Sequence, residues 1–173
     1  MSLAHTQRKD YTKMVTIIRG LPGSGKTSYA LKHFPGALLL EGDQVHMMPD
    51  GSYQFKSTNT RVDVYLKTML ESALILGVNH VVITSAYPRA DLVQTLVEIA
   101  KKYSDGKYRV AWMDYEDGNT SGNQHNVPKE VIASMKANWE CFPGEAYLIR
   151  TKSGDLAEVT SPPSWYKKKM MQH

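Results

Sequence analysis

The chain has 173 residues, enough for one domain and too few for two ordinary ones. Apolar residues make up 42% and charged residues 22%, with no low-complexity block or internal repeat, which excludes a disordered or fibrous chain. A single cysteine, Cys141, excludes an internal disulfide, and apolar runs such as Ala37 to Leu40 fall far short of the ~18 residues that read as a membrane span. Arg8 and Lys9 precede no apolar stretch with a cleavage site, so no secretory signal is expected and the protein reads as soluble and cytoplasmic. The net charge of +4 lies at the ends. Residues 1–13 hold three bases and one acid, residues 161–173 hold Lys167, Lys168 and Lys169 and no acid, and residues 14–160 carry −1. Charge placed this way predicts solvated tails rather than a phosphate-tracking surface.

In chain order, Val15-Thr16-Ile17-Ile18 predicts a buried strand ending in a glycine turn, and Ala37 to Leu40 predicts a second after Pro35-Gly36. Residues 60–76 place Val62, Leu66, Met69, Ala73 and Leu76 at helical spacing. Val81 to Thr84 predicts a third strand. Residues 89–103 predict a helix with Leu92, Leu96, Ile99 and Tyr103 on its buried side. Val110 to Met113 predicts a fourth strand. Pro128 suits the first position of a helix carrying Val131, Met135 and Trp139, with Asn126 as its cap. Ala146 to Ile149 predicts a fifth strand. Alternation of this kind predicts an α/β fold: a doubly wound, mostly parallel sheet of about five strands with helices on both faces. Residues 44–58 and 115–126 fit no element. Both follow strand ends, where open α/β sheets place their ligand loops.

Residues 20–27 read GLPGSGKT, the full G-x-x-x-x-G-K-[ST] pattern, set between a predicted strand and a predicted helix. Glycines at 20, 23 and 25 allow backbone amides to turn inward around phosphate oxygens. Lys26 supplies a point charge for the β- and γ-oxygens, Thr27 a hydroxyl for Mg²⁺, and the helix its positive N-terminal dipole. The nucleotide-binding set is therefore Gly20, Pro22, Gly23, Ser24, Gly25, Lys26, Thr27 and Ser28, with ATP and Mg²⁺ as cofactors. The second strand runs into Glu41-Gly42-Asp43, and an Asp there either deprotonates an acceptor hydroxyl or holds a magnesium-bound water. The third strand ends in Thr84-Ser85 rather than in the metal-associated Asp of translocating ATPases. Tyr53 and Phe55 either stack an acceptor base or pin their loop. Met135 and Trp139 are read as core, Arg89 as within reach of a phosphate, and Cys141 as inert.

The combination GLPGSGKT, LLLEGDQ, GSYQF, VVITSAYPR and NQHNVPKEVIASMKANWE resembles the small P-loop kinase family related to phage polynucleotide 5′-kinases, and most of all a short branch of it in phages and bacteria. The resemblance covers about residues 14–140. It implies Asp43 as general base, the ATP γ-phosphate as donor and a nucleotide or nucleic-acid hydroxyl as acceptor. Residues 14–151 would then form the kinase-like domain, flanked by a basic N-terminal tail (1–13) and a C-terminal extension with a basic end (152–173). The sequence also departs from that family. Its arginine three residues beyond the base is His46 here, its strand-three Asp has Ser85 nearest, and residues 115–127 hold no Lys or Arg. The lid arginine position is Gly122. Asn123 and His125 keep their places in the signature, and His125, protonated, is expected to contact ATP phosphates in the arginine's stead. The rival is Arg89 or Arg61 reaching in from outside the lid. Three other functions share these features: a small-metabolite kinase, a slow ATPase or nucleotide-binding module, and a nucleic-acid binder switched by nucleotide.

Overall fold

The predicted alternation of strands and helices is present in a computed structural model, which describes residues 13–46, 48–50, 52, 59–123 and 126–172. In chain order the elements are β1 (Met14–Arg19), α1 (Lys26–His33), β2 (Leu38–Glu41), a 3-10 turn (Gly42–His46), α2 (Asn59–Ile75), β3 (His80–Ser85), α3 (Ala90–Tyr103), β4 (Tyr108–Tyr115), α4 (Lys129–Asn138), β5 (Ala146–Arg150), β6 (Leu156–Val159) and α5 (Ser164–Met171). The sheet order is β2-β3-β1-β4-β5-β6, parallel except for β6, which runs antiparallel to β5. The fold is thus α/β with a mostly parallel sheet, extended by one strand beyond the expected five. β1 lies at the centre, between β3 and β4. The chain leaves it towards one edge and later returns to the other, so the turn after β1 opens at the topological switch point where such sheets bind ligands.

Side chains of β1 alternate between two cores. Val15 and Ile17 join β3, α2 and α3 in one cluster, while Ile18 meets Ala30 of α1 and Met113 of β4 in another. Helices therefore cover both faces, which is why every central strand reads as an apolar run. Two helical stripes sit one residue round from expectation. In α2, Leu66, Leu70, Ala73 and Leu74 are buried, whereas Met69 is 38% exposed and Leu76, one residue past the helix end, is 82% exposed. In α3 the buried set is Val93, Leu96, Val97 and Ala100, with Leu92, Ile99 and Tyr103 only partly covered. Each of these helices packs on the other as well as on the sheet, so the buried arc is wider and centred differently from a one-face stripe.

At the other end, Pro128, and not Asn126, occupies the cap position of α4, and Asn126 turns the chain with φ 52°. Ile132 is the buried residue of that helix, and Trp139, just beyond its end, is 1% exposed. The expectation of a solvated basic end fails for Lys169. Its Nζ donates to the carbonyls of Lys136, Ala137 and Trp139 at 2.8–3.2 Å, capping the C-terminus of α4. Trp165 and Tyr166 of α5 meet Trp112 edge-on at 5.9 and 5.3 Å. Among the described residues no helix is long and apolar enough to cross a membrane.

Candidate active site

The phosphate loop follows β1 directly and is wedged between neighbours. A Cβ on Gly20 would lie 2.0 Å from the Met113 carbonyl oxygen, so the loop starts hard against β4. Gly23 has φ 83°, and a Cβ there would come within 2.6 Å of the Asn123 amide nitrogen, so the loop's crest touches the segment after β4. Lys26 opens α1, and its Nζ donates to the carbonyls of Gly20 and Leu21 at 2.9 Å each, curled over the loop that it would serve. Burial lowers its pKa, while the charges of Asp114, Asp43 and Glu41 oppose that shift. Thr27 donates its hydroxyl proton to Glu41 at the end of β2. Asp43 stands exposed in the following turn.

Gly23, Lys26, Thr27, Asp43 and Asn123 line one cavity of about 730 Å³. Its phosphate half holds Pro22, Gly23, Gly25 to Ser28, Gly122 and Asn123. Its other half is walled by Asp43, by Thr84 to Arg89 at the end of β3 and beyond it, and by one side of α4. Asn123 Nδ2 donates to the Val127 carbonyl at 3.1 Å and so braces the turn into α4. Arg89 lines the cavity and pairs with Asp91 at 2.7 Å, both side chains being about 60% exposed. Val131 and Met135 face the cavity, although Met135 was expected in the core; it also touches the tryptophan cluster beneath. Cys141 is half-buried beside that same cluster. Residues 53, 55 and 125 and the side chains of residues 46 and 61 lie outside the described residues, which leaves Tyr53, Phe55, His125, His46 and Arg61 as expectations.

Three supports of the site have no counterpart among the expected residues. Asp114, fully buried at the end of β4, accepts from the Leu21 amide at 3.0 Å and from Trp112 Nε1 at 2.6 Å. Burial pushes its pKa up to about 6, even though both hydrogen bonds and the charges of Lys26 and Arg19 favour the ionised form. Arg150, ending β5, donates through Nε to the Ser24 carbonyl at 3.0 Å and through Nη1 to Gly154 at 3.2 Å. Arg19, ending β1, is completely buried and pairs with Glu145 at 3.2 Å. Its Nη2 donates to the carbonyls of Pro88 and Glu140, and its guanidinium lies 4.6 Å from the centre of the Trp139 ring. Pro88 and Glu140 adjoin the two walls of the acceptor half, so this one side chain ties the β3–α3 connection to the end of α4. A polar or charged residue closing each of the strands around the phosphate loop was the available signal. Asp114 stands at the carboxyl end of its strand, where open α/β sheets take their ligands, but the apolar run of β4 ends one residue short of it.

Among the described residues no cluster of three or more His, Cys, Asp or Glu forms a metal cage. The Thr27 hydroxyl, Glu41 and Asp43 are hard oxygen donors at one edge, a set that fits a magnesium ion retaining several waters.

Residues 15–112 match the model of a family described as AAA domain. Solved structures share the fold along nearly the whole chain. A gluconokinase from Sinorhizobium meliloti 1021 is 17% identical, with 94% of this chain and 91% of that one covered and a TM-score of 0.54. An unliganded sugar kinase from Janibacter sp. HTCC2649 is 18% identical, covering 92% and 93%, with a TM-score of 0.56. The AvrRxo1-ORF1:-ORF2 complex with ATP gives 14% identity, 98% and 66% coverage and a TM-score of 0.59.

Proposed function

The chain belongs to the AAA domain family, matched over residues 15–112, and from that premise we propose that it transfers the γ-phosphate of Mg·ATP to a hydroxyl of a nucleic-acid end, a nucleotide or a nucleoside. The observation that carries the proposal is that a phosphate loop with Lys26 and Thr27 and the carboxylate Asp43 open onto one cavity. Phosphoryl transfer asks little covalent chemistry of a protein. It needs a held donor, a positioned acceptor and compensation for charge.

In the proposed reaction the acceptor oxygen bonds to the γ-phosphorus as the bond from that phosphorus to the bridging oxygen breaks. ADP departs with the electron pair, and the hydroxyl proton passes to Asp43. Lys26 exchanges the Gly20 and Leu21 carbonyls for the β- and γ-oxygens. The loop amides and the α1 N-terminus hold the remaining phosphate charge. Thr27 and Glu41, with Asp43 through a water, are the residues that would hold magnesium, which when bound would neutralise part of the phosphate charge. Asn123 beside Gly23, Arg89 at the cavity wall and His125 from the matched signature are the further phosphate contacts in this proposal. ATP as donor gains support from the fold neighbour solved with ATP.

A second reading, a slow ATPase or nucleotide-binding module without an acceptor, is favoured by one observation: residues 115–127 contain no Lys or Arg to steady the transferring phosphoryl group. Incubation with γ-labelled ATP and a panel of nucleosides, nucleoside monophosphates, 5′-hydroxyl DNA, 5′-hydroxyl RNA and hexoses separates the two. The phosphotransferase yields labelled acceptor. Release of labelled phosphate with every acceptor left unlabelled establishes the second reading instead.

A further inference from the structure

The acceptor half of the cavity is shaped and charged more narrowly than phosphate transfer alone demands. One face of α4 lines it: Glu130, Val131, Ser134, Met135 and Asn138, at spacings of one and four that keep all five on a single side of the helix. This face carries two parallel rows. Val131 and Met135 form an apolar row, which Leu92 of α3 and Val62 of α2 extend across the cavity. Glu130, Ser134 and Asn138 form a polar row, with Asn138 Nδ2 donating to the Ser134 carbonyl at 2.9 Å and to its hydroxyl at 3.3 Å. An apolar strip beside hydroxyl, amide and carboxylate groups suits a flat, weakly polar ring with hydrogen-bonding groups along one edge. Tyr87 lines the same half, and its hydroxyl is buried without a hydrogen-bond partner among the described residues.

The charges point the same way. Asp43 and Glu130 both face this half, and Arg89 is its one cation among the described lining residues, held by Asp91 at 2.7 Å. A phosphate on the acceptor, beyond the one to be transferred, would meet the carboxylates of Asp43 and Glu130, and the nearby Arg89 guanidinium is shared with Asp91 and, in the reading above, with the ATP phosphates. A free hydroxyl meets no such opposition.

Building on the phosphotransferase reading above, we propose that the acceptor is an uncharged, hydroxyl-bearing molecule of nucleoside size, its flat face on the Val131–Met135 row, and that Glu130 discriminates against acceptors carrying a phosphate. The chemistry that selects is apolar contact plus neutral hydrogen bonding, with like-charge repulsion as the excluding element.

The test compares three acceptors that share the same 5′-hydroxyl: a nucleoside, its 3′-monophosphate and a 5′-hydroxyl oligonucleotide. The full chain, γ-labelled ATP and low salt are used. The expected result is a kcat/KM for the nucleoside on the order of tenfold above that for the 3′-monophosphate, a gap that narrows with added salt. Glu130→Lys should shrink the preference about fivefold or more, with ATP affinity measured alongside to show that the fold and donor side are intact. If the 3′-monophosphate or the oligonucleotide is used as well as the nucleoside, the inference is overturned and the phosphotransferase reading stands. A preference that survives Glu130→Lys unchanged removes Glu130 from the selection. Failure to label any acceptor while Mg·ATP still binds overturns the phosphotransferase reading beneath it.

Discussion

The two halves of the cavity are built in different ways. The phosphate half is held from beneath and from the side by buried Asp114 on the Leu21 amide, half-buried Arg150 on the Ser24 carbonyl, and Met113 against Gly20. The acceptor half is an assembly of four separate segments, the turn after β2, the start of α2, the β3–α3 connection and α4, with exposed Asp43, Arg89 and Glu130 among its polar groups. A site for a ligand that hardly varies, a triphosphate, can be pre-formed at low reorganisation cost. A site made from several elements can be altered by changing one of them, which is where acceptor specificity is free to diverge between proteins of one fold.

The comparison breaks most completely at Lys26. Lys26→Ala leaves the backbone amides in place but removes the charge over the β- and γ-oxygens, so phosphate transfer should become undetectable and ATP affinity should fall. An isothermal titration with ATP and a label-transfer assay check both, and unchanged turnover would remove the loop from the reaction. On the acceptor side, Asp43→Asn should retain ATP affinity while transfer drops roughly 10²–10⁴-fold. If affinity falls in parallel with transfer, Asp43 belongs to the metal rather than to the acceptor.

Asp114 sharpens the contrast, because it holds the Leu21 amide beneath the loop and is not itself part of the cavity lining. Asp114→Asn keeps the size of the side chain but cannot accept from both the Leu21 amide and Trp112 Nε1, since its nitrogen is a donor. ATP affinity should fall about tenfold, with kcat for saturating ATP within about threefold of wild type. The wild-type carboxyl takes up its proton as pH drops through about 6 and then loses one of its two acceptor roles. ATP affinity should therefore weaken below that pH in wild type by more than in Asp114→Asn. The difference between the two profiles isolates this carboxyl from the ATP phosphate, which itself titrates near 6. The folded pKa lies above the unfolded value near 3.9, so ionising Asp114 lowers folding stability as pH rises from about 4 to 6. Identical profiles for the two proteins would rule out this carboxyl as the titrating group. The smallest effect is expected at Arg150. Arg150→Ala removes a charge-assisted bond to a carbonyl that the loop's own geometry also restrains, and should weaken ATP binding by about threefold in the same titration.

Much of the fold was legible because its signals are local. The β-branched runs of the central strands are apolar on both faces for the plain reason that both faces are covered. Boundaries and faces were less so. Met69 and Leu76 continue the helical spacing, yet Leu76 lies just past the end of α2 and the Leu66–Leu70–Leu74 row is the one that the sheet and α3 cover. The helix after Pro128 was read as an inward stripe of Val131, Met135 and Trp139. In the structure Ile132 turns to the core, while Val131 and Met135 turn to the cavity. β6 and α5 leave little mark on the sequence, because Leu156 to Val159 is a short edge strand and Ser164 to Met171 has little apolar periodicity. Trp165 and Tyr166 bind α5 to Trp112 through contacts that no local pattern announces.

Residues 20–27 determined by themselves that a phosphate loop would follow the first strand, because the loop's requirements are met within eight consecutive residues: glycines where the backbone must turn, a lysine for the charge, a hydroxyl for the metal. Asp43 could be nominated in the same way, from its place after a strand. The supports of that loop could be decided only by the tertiary structure. Asp114 reaches Leu21 across 93 positions, Arg150 reaches Ser24 across 126, and Arg19 reaches Glu145 across 126. The first two meet because β1, β4 and β5, parallel and distant in sequence, end side by side at one edge of the sheet, whereas Arg19 at the end of β1 meets Glu145 in the turn that leads into β5. A buried carboxylate or guanidinium there must find its partner in space, since burial without one would cost several kcal/mol. The sequence places charges at strand ends, and the strand order chooses which of them meet.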